Sequence, residues 1–161
     1  MQNTPGLGEL LRYVSDLVDS GSEKTYREMA IAYRPRFTPV LRAMAAGAQT
    51  VTDITAQTFL TQGAISQSVS MMEKEGILHK VALEDGRKSR LQLTEKGDAL
   101  VAGLQPHWQT LFVAIAELEK ETGHPLRAIL QDTARALERQ GFDERIRLAK
   151  KPHPDDGEAP C

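Results

Sequence analysis

The sequence predicts a mainly α-helical chain broken once by a two-stranded β-hairpin. Three observations carry that expectation. Aromatic residues make up only 5% of the 161 residues, so the core is largely aliphatic, which suits packed helices better than a β-sandwich. Apolar residues recur at helical spacing along most of the chain. One stretch alone, from Gly76 to Leu93, alternates instead, around an Asp85-Gly86 turn signal.

Taken in order, Leu7, Leu10, Leu11, Val14, Leu17 and Val18 form one apolar stripe, with Glu9, Arg12, Asp16 and Asp19 mostly on the other side. Gly21 reads as a stop for that helix. A second helix with a weaker stripe is expected over Glu23–Tyr33, interrupted by Pro35. Phe37–Ala46 resumes as a short helix that ends at Gly47. Val51–Thr58 and Thr61–Glu75 then read as two helices separated by a few residues.

The run Gly76–Ala82 and the alternating Ser89–Leu93 make the hairpin. Thr94 is the expected N-cap of a long helix carrying Leu100, Leu104, Leu111, Phe112, Ile115 and Leu118, with Pro106 placed to kink it. Gly123-His124-Pro125 breaks the chain, and Leu126, Ile129, Leu130 and Leu137 mark a last amphipathic helix. From Lys150 the polar, proline-containing end is expected to be disordered.

The overall charge excludes little. A formal net charge of −2 is no nucleic-acid signature, so any contact with nucleic acid must use local positive charge. The single cysteine, Cys161, cannot form an internal disulfide, which fits a reducing compartment, and it reads as an incidental exposed thiol. No apolar run approaches a membrane span and no secretory leader is recognisable, so a cytoplasmic protein without membrane contact is expected.

Chemistry is concentrated in Val51–Gly97. Within Thr61–Glu75, Ile65, Val69 and Met72 recur at i, i+4 and i+7 and form a buried stripe. The other face carries Gln62, Ser66, Gln67 and Ser70, short polar side chains able to enter a DNA groove. By itself this is equally an ordinary solvated helix with a Ser/Gln exterior. The hairpin that follows tips the balance, because its tip gathers Arg87, Lys88 and Arg90, suited to phosphates or to a narrow minor groove. Helix, turn, helix and β-ribbon together predict a winged helix-turn-helix.

The run Asp85-Gly86-Arg87-Lys88-Ser89-Arg90-Leu91-Gln92-Leu93-Thr94-Glu95-Lys96-Gly97 resembles the wing signature of the MarR family of transcriptional regulators. That signature is Asp-x-Arg, three residues, an aliphatic residue, x, Leu-Thr, two residues and Gly. The preceding Gly63–Gly76 resembles the family's recognition helix and its Glu-Lys-x-Gly exit. The likeness is specific over Phe37–Gly97 and weaker across about Leu7–Gln140.

The resemblance implies a homodimer: dimerisation helices in 1–36 and 98–148, a DNA-binding winged helix in 37–97, and a polar tail in 149–161. It implies that Thr61, Gln62, Ser66 and Gln67 face a major groove, that Arg87 reads the neighbouring minor groove, and that Asp85 holds the wing in shape. Many members carry a basic residue where this chain has Gln67, and Thr61–Met72 contains no Lys or Arg. Adenine contacts, thymine-methyl contacts or water bridges are therefore expected in place of a bidentate Arg on guanine. A small-molecule effector is implied by analogy, with Arg12, Tyr13 and Trp108 as candidates to border its cleft.

Catalysis finds no support. The sequence has no GxSxG elbow and no phosphate-binding glycine loop, and its four histidines lack metal-ligand spacing. His107-Trp108 reads as a packed pair, and no cofactor is expected. Two other classes remain: a winged helix used only for protein interaction, which would not need the Arg87/Lys88/Arg90 cluster, and an enzyme with an attached winged helix, which would need more chain than is present.

Overall fold

The computed structural model describes residues 3–84, 86 and 89–150. Asp85, Arg87, Lys88 and Cys161, all singled out above, lie outside the described residues. Seven α-helices and one β-hairpin are assigned among those described. The chain divides into two compact units, residues 1–106 and 107–161.

The first unit begins with α1, Leu7–Glu28, which runs straight through Gly21. The expected stop there is not made. Gly21 is not among the residues with positive φ, and its carbonyl accepts a hydrogen bond from the Thr25 hydroxyl at 3.0 Å. The chain turns later, at Ala30, whose φ of 55° is unusual for a residue with a side chain. The separate helix expected over Glu23–Tyr33 is thus the end of α1 followed by an irregular segment.

Pro35–Phe37 forms one 3₁₀ turn, and α2 follows at Thr38–Ala45. Here an aromatic cluster closes the unit. The Tyr26 and Tyr33 rings meet edge to face at 4.7 Å, and Tyr33 meets Phe37 at 6.0 Å. The Tyr33 hydroxyl shares a 3.0 Å hydrogen bond with Thr38. Burial pushes the phenols of Tyr33 and Tyr26 above their ordinary pKa, and the hydrogen bond to Thr38 only partly opposes it.

Next come α3, Val51–Gln57, and α4, Gln62–Lys74. α3 starts on a capping box: Thr50 Oγ1 accepts from the Asp53 amide at 3.1 Å, and Asp53 Oδ2 accepts from the amides of Thr50 and Gln49. α4 ends at Gly76, whose φ of 73° is the left-handed conformation that terminates helices without cost when no Cβ is present.

The hairpin pairs β1, Leu78–Ala82, with β2, Ser89–Leu93, antiparallel, from Leu78 opposite Leu93 to Ala82 opposite Ser89. The Leu91 amide donates outside the hairpin, to the Gln49 carbonyl at 2.7 Å, tying the wing's root to the loop before α3. Core positions Phe37, Val40, Leu41, Ile54, Ile65, Met72 and Leu104 are fully buried.

α5, Glu95–Thr122, starts in the first unit and passes into the second, continuing through Pro106. Thr94 caps it as expected: its Oγ1 accepts from the Gly97 amide at 3.1 Å and donates to the Gly76 carbonyl at 2.6 Å. Gly97 is required by close approach, since a Cβ there would run into the Ile77 carbonyl oxygen.

In the second unit α5 is followed by α6, Leu126–Arg139, and α7, Phe142–Ala149. No separate helix was expected over α7. The Arg145 side chain joins it to the end of α6 by donating to the carbonyls of Gln140 and Ala136, each at 3.1 Å. Neither α6 nor α7 has a buried residue in the single chain. Ile129, Leu130, Leu137, Phe142, Ile146 and Leu148 all stand exposed.

Candidate nucleic-acid interface

α4 divides cleanly into two faces. Ile65, Ser68, Val69 and Met72 are buried, and at 100° per residue they sit opposite Gln67, Ser70 and Lys74. Gln62, Ser66, Gln67 and Ser70 are all exposed, but only Gln67 and Ser70 lie opposite the buried face. Gln62, seven residues before the buried Val69, stands on that residue's side of the helix, exposed at the N-terminal end. Thr61 has a different first task. It is the N-cap, its Oγ1 accepting from the Ala64 amide at 3.1 Å, and it fixes where the exposed face begins.

The helix carries no cation on this face before Lys74, yet one is brought to it from elsewhere. Arg36, in the 3₁₀ turn, donates from Nη2 to Gln67 Oε1 at 3.0 Å and from Nε to Ser68 Oγ at 3.3 Å. Sequence reasoning missed this residue. The pairing spans 31 positions, and no local pattern marks it. A second cation behaves similarly: Arg34 pairs with Glu75 at 3.0 Å, next to the C-terminus of α4. That pair is substantially exposed, so it orients more than it stabilises. Lys96 Nζ donates to the Glu75 carbonyl at 2.7 Å, satisfying an end carbonyl of α4.

Of the wing residues, Arg90 is described. It is exposed on β2, opposite Val81, on the face away from the buried Leu78 and Leu91. The wing's root is held on three sides, by Leu91 to Gln49, by Thr94 to Gly76, and by the Thr94 amide to the Ile77 carbonyl at 3.1 Å.

The candidate effector residues fall in different units of the chain. Arg12 and Tyr13 stand exposed on α1. Trp108, in the second unit, is 6% exposed, and its indole Nε1 has no hydrogen-bond acceptor among the described residues. The first unit holds an open groove of about 530 Å³ lined by other side chains, among them Asp19, Glu23, Arg34, Arg36 and Ser68. No group of His, Cys, Asp and Glu able to hold a metal ion occurs among the described residues. No described helix is long and apolar enough to cross a membrane.

Comparison with known proteins agrees with this architecture. A family model described as the bacterial regulatory protein, arsR family, matches residues 39–80, from α2 to within β1. No curated protein matches the chain. Among solved structures, the transcriptional regulator MOSR of M. tuberculosis, in complex with DNA, superposes with a TM-score of 0.69 at 17% identity, covering 86% of this chain and 100% of that one. A MarR/EmrR family regulator from Acinetobacter sp. ADP1 gives 0.63 at 16% identity, covering 81% and 94%. Bordetella bronchiseptica BpsR, whose DNA binding is regulated by 6-hydroxynicotinic acid, gives 0.55 at 20% identity, covering 73% and 98%. The fold is the winged helix of MarR family regulators, the family that the wing signature resembles.

Proposed function

We propose that the protein is a sequence-specific, double-stranded DNA-binding transcriptional regulator of the MarR type. The observation that carries this reading is α4 itself. Three fully buried apolar side chains clamp one side of the helix, the opposite side presents Gln67 and Ser70, and Gln62 and Ser66 stand exposed at its edge. An interior so committed leaves the polar face rigid, as groove entry requires. The DNA complex of the MOSR structure supports the same use of this fold.

In this reading Arg87, Lys88 and Arg90 supply the phosphate and minor-groove contacts that α4 lacks, and Asp85 holds the wing in shape. The protein acts as a cytoplasmic homodimer, without catalytic activity, on a pseudo-palindromic operator whose half-sites are about 10 bp apart. The exposed stripe of Leu7, Leu10, Leu11, Val14, Leu17 and Val18 on α1, with the uncovered faces of α6 and α7, supports a partner subunit. The regulator is a repressor relieved by a small molecule, with Arg12, Tyr13 and Trp108 as candidate contacts; the regulation of BpsR's DNA binding by 6-hydroxynicotinic acid supports the small-molecule control.

Selection of bound fragments from genomic DNA tests the whole reading. Enrichment of a two-fold-related sequence is expected. Absence of any enriched sequence would leave a winged helix that serves protein interaction only. Arg87→Ala should weaken operator binding and flatten its salt dependence without dissociating the dimer. Titrations at two salt concentrations that match the wild type would remove Arg87 from the interface.

A further inference from the structure

We propose that Arg36, from outside the recognition helix, sets what Gln67 reads, turning it from an adenine reader into a donor-only reader of guanine. The inference rests on the DNA-binding reading above and adds a residue and a base preference to it.

A guanidinium has only donors, so the end of a carboxamide that faces it must be the oxygen. Arg36 Nη2 donates to Gln67 Oε1 at 3.0 Å, and this fixes which way the Gln67 amide is turned. The guanidinium is itself anchored. Its Nε donates to Ser68 Oγ at 3.3 Å, and Ser68 is 3% exposed, a hydroxyl set among the core side of α4. Two N–H groups of one planar fork therefore engage neighbouring residues of α4, one gripping its buried side and the other orienting its exposed side.

The consequence lies in what Gln67 has left to offer. The usual contact of Gln with adenine uses both ends of the amide, the oxygen accepting from N6 and the nitrogen donating to N7. With Oε1 turned to Arg36, the end left to face a base is the NH₂ group, which only donates. Guanine suits it, presenting O6 and N7 as two acceptors on one edge. Adenine would set its N6 donor against the Gln67 donor. Gln67 lies near the centre of the exposed face, opposite the buried Ile65, Val69 and Met72. Arg36 acts here as a positioning residue, since it works through Gln67.

The test uses the full chain and a randomised duplex library. Selection with the wild type gives a reference operator, and fluorescence anisotropy on every single-base variant of it gives a preference profile. Gln67→Ala identifies the base pair that Gln67 reads, as the position whose discrimination collapses. There the wild type should favour guanine over adenine by roughly ten-fold. Arg36→Ala should release the amide oxygen and bring the guanine-to-adenine ratio to about one or below, leaving other positions unchanged. Gln67→Glu, which replaces the donor end with an acceptor and leaves Arg36 in place, should also abolish the guanine preference, and it keeps the test open if Arg36→Ala folds poorly.

A wild-type preference for adenine at that pair, or a guanine preference that survives Arg36→Ala, overturns the proposal. So does a Gln67→Ala profile identical to the wild type. These failures leave the DNA-binding reading standing. A wild type that selects no sequence removes both.

Discussion

At the residue scale, the buried tyrosines give the clearest handle on stability. Tyr33 lies among Tyr26, Phe37 and Thr38, and burial holds its phenol protonated beyond the ordinary range. The folded pKa is raised, so the stabilisation is fully present below the unfolded value of about 10 and declines as pH rises beyond it. Alkaline denaturant titrations should show that decline, and Tyr33→Phe should make it shallower. Equal slopes for the two proteins would mean that Tyr33 ionises as readily in the fold as in the unfolded chain. Other residue roles were legible in sequence only when local. Thr94 reads as an N-cap from its neighbours alone, and so it proved. Arg36 could not be read in that way, because its partners Gln67 and Ser68 lie more than thirty positions away.

At the scale of elements, the helix-turn-helix was readable because its signals are periodic and strong. Ile65, Val69 and Met72 mark the buried side of α4, and Ser89–Leu93 is a strand with the bounds its alternation suggests. Misreadings arose where a local rule competed with context. An isolated glycine lowers helix stability by about 1 kcal/mol, which a 22-residue helix absorbs, so α1 passes through Gly21. α7 is hard to read from FDERIRLA because eight residues make a marginal helix alone, and its anchoring by Arg145 depends on the end of α6.

Two substitutions probe these elements. Gly97→Ala should cost roughly 1–3 kcal/mol, because the added Cβ meets the Ile77 backbone at the junction of hairpin and α5. Thr50→Ala should cost about 1 kcal/mol through loss of the α3 cap. Urea midpoints measure both, and a neutral Gly97→Ala would show that the junction can open to make room.

At the scale of the whole molecule, the apolar stripes of α1 and α6 were legible as stripes, and their exposure in the single chain adds what periodicity alone cannot. A sequence pattern says that a face is apolar; it does not say which surface covers it. Leu17→Asp, at a position 57% exposed in the single chain, should leave the winged helix folded and convert a dimer to monomers in sedimentation equilibrium. An unchanged mass would assign the α1 stripe to something other than self-association.

The helices α6 and α7, with no buried residue of their own, carry a kinetic consequence. In the proposed homodimer these helices would gain their apolar burial only when two chains meet, which leaves them no unimolecular route to their final stability. Refolding should contain a second-order phase whose rate rises with protein concentration, following a faster phase, independent of concentration, from the core around Ile54 and Leu41. The melting temperature should then climb with concentration as well, so that comparisons between variants hold only at a fixed number of chains per volume.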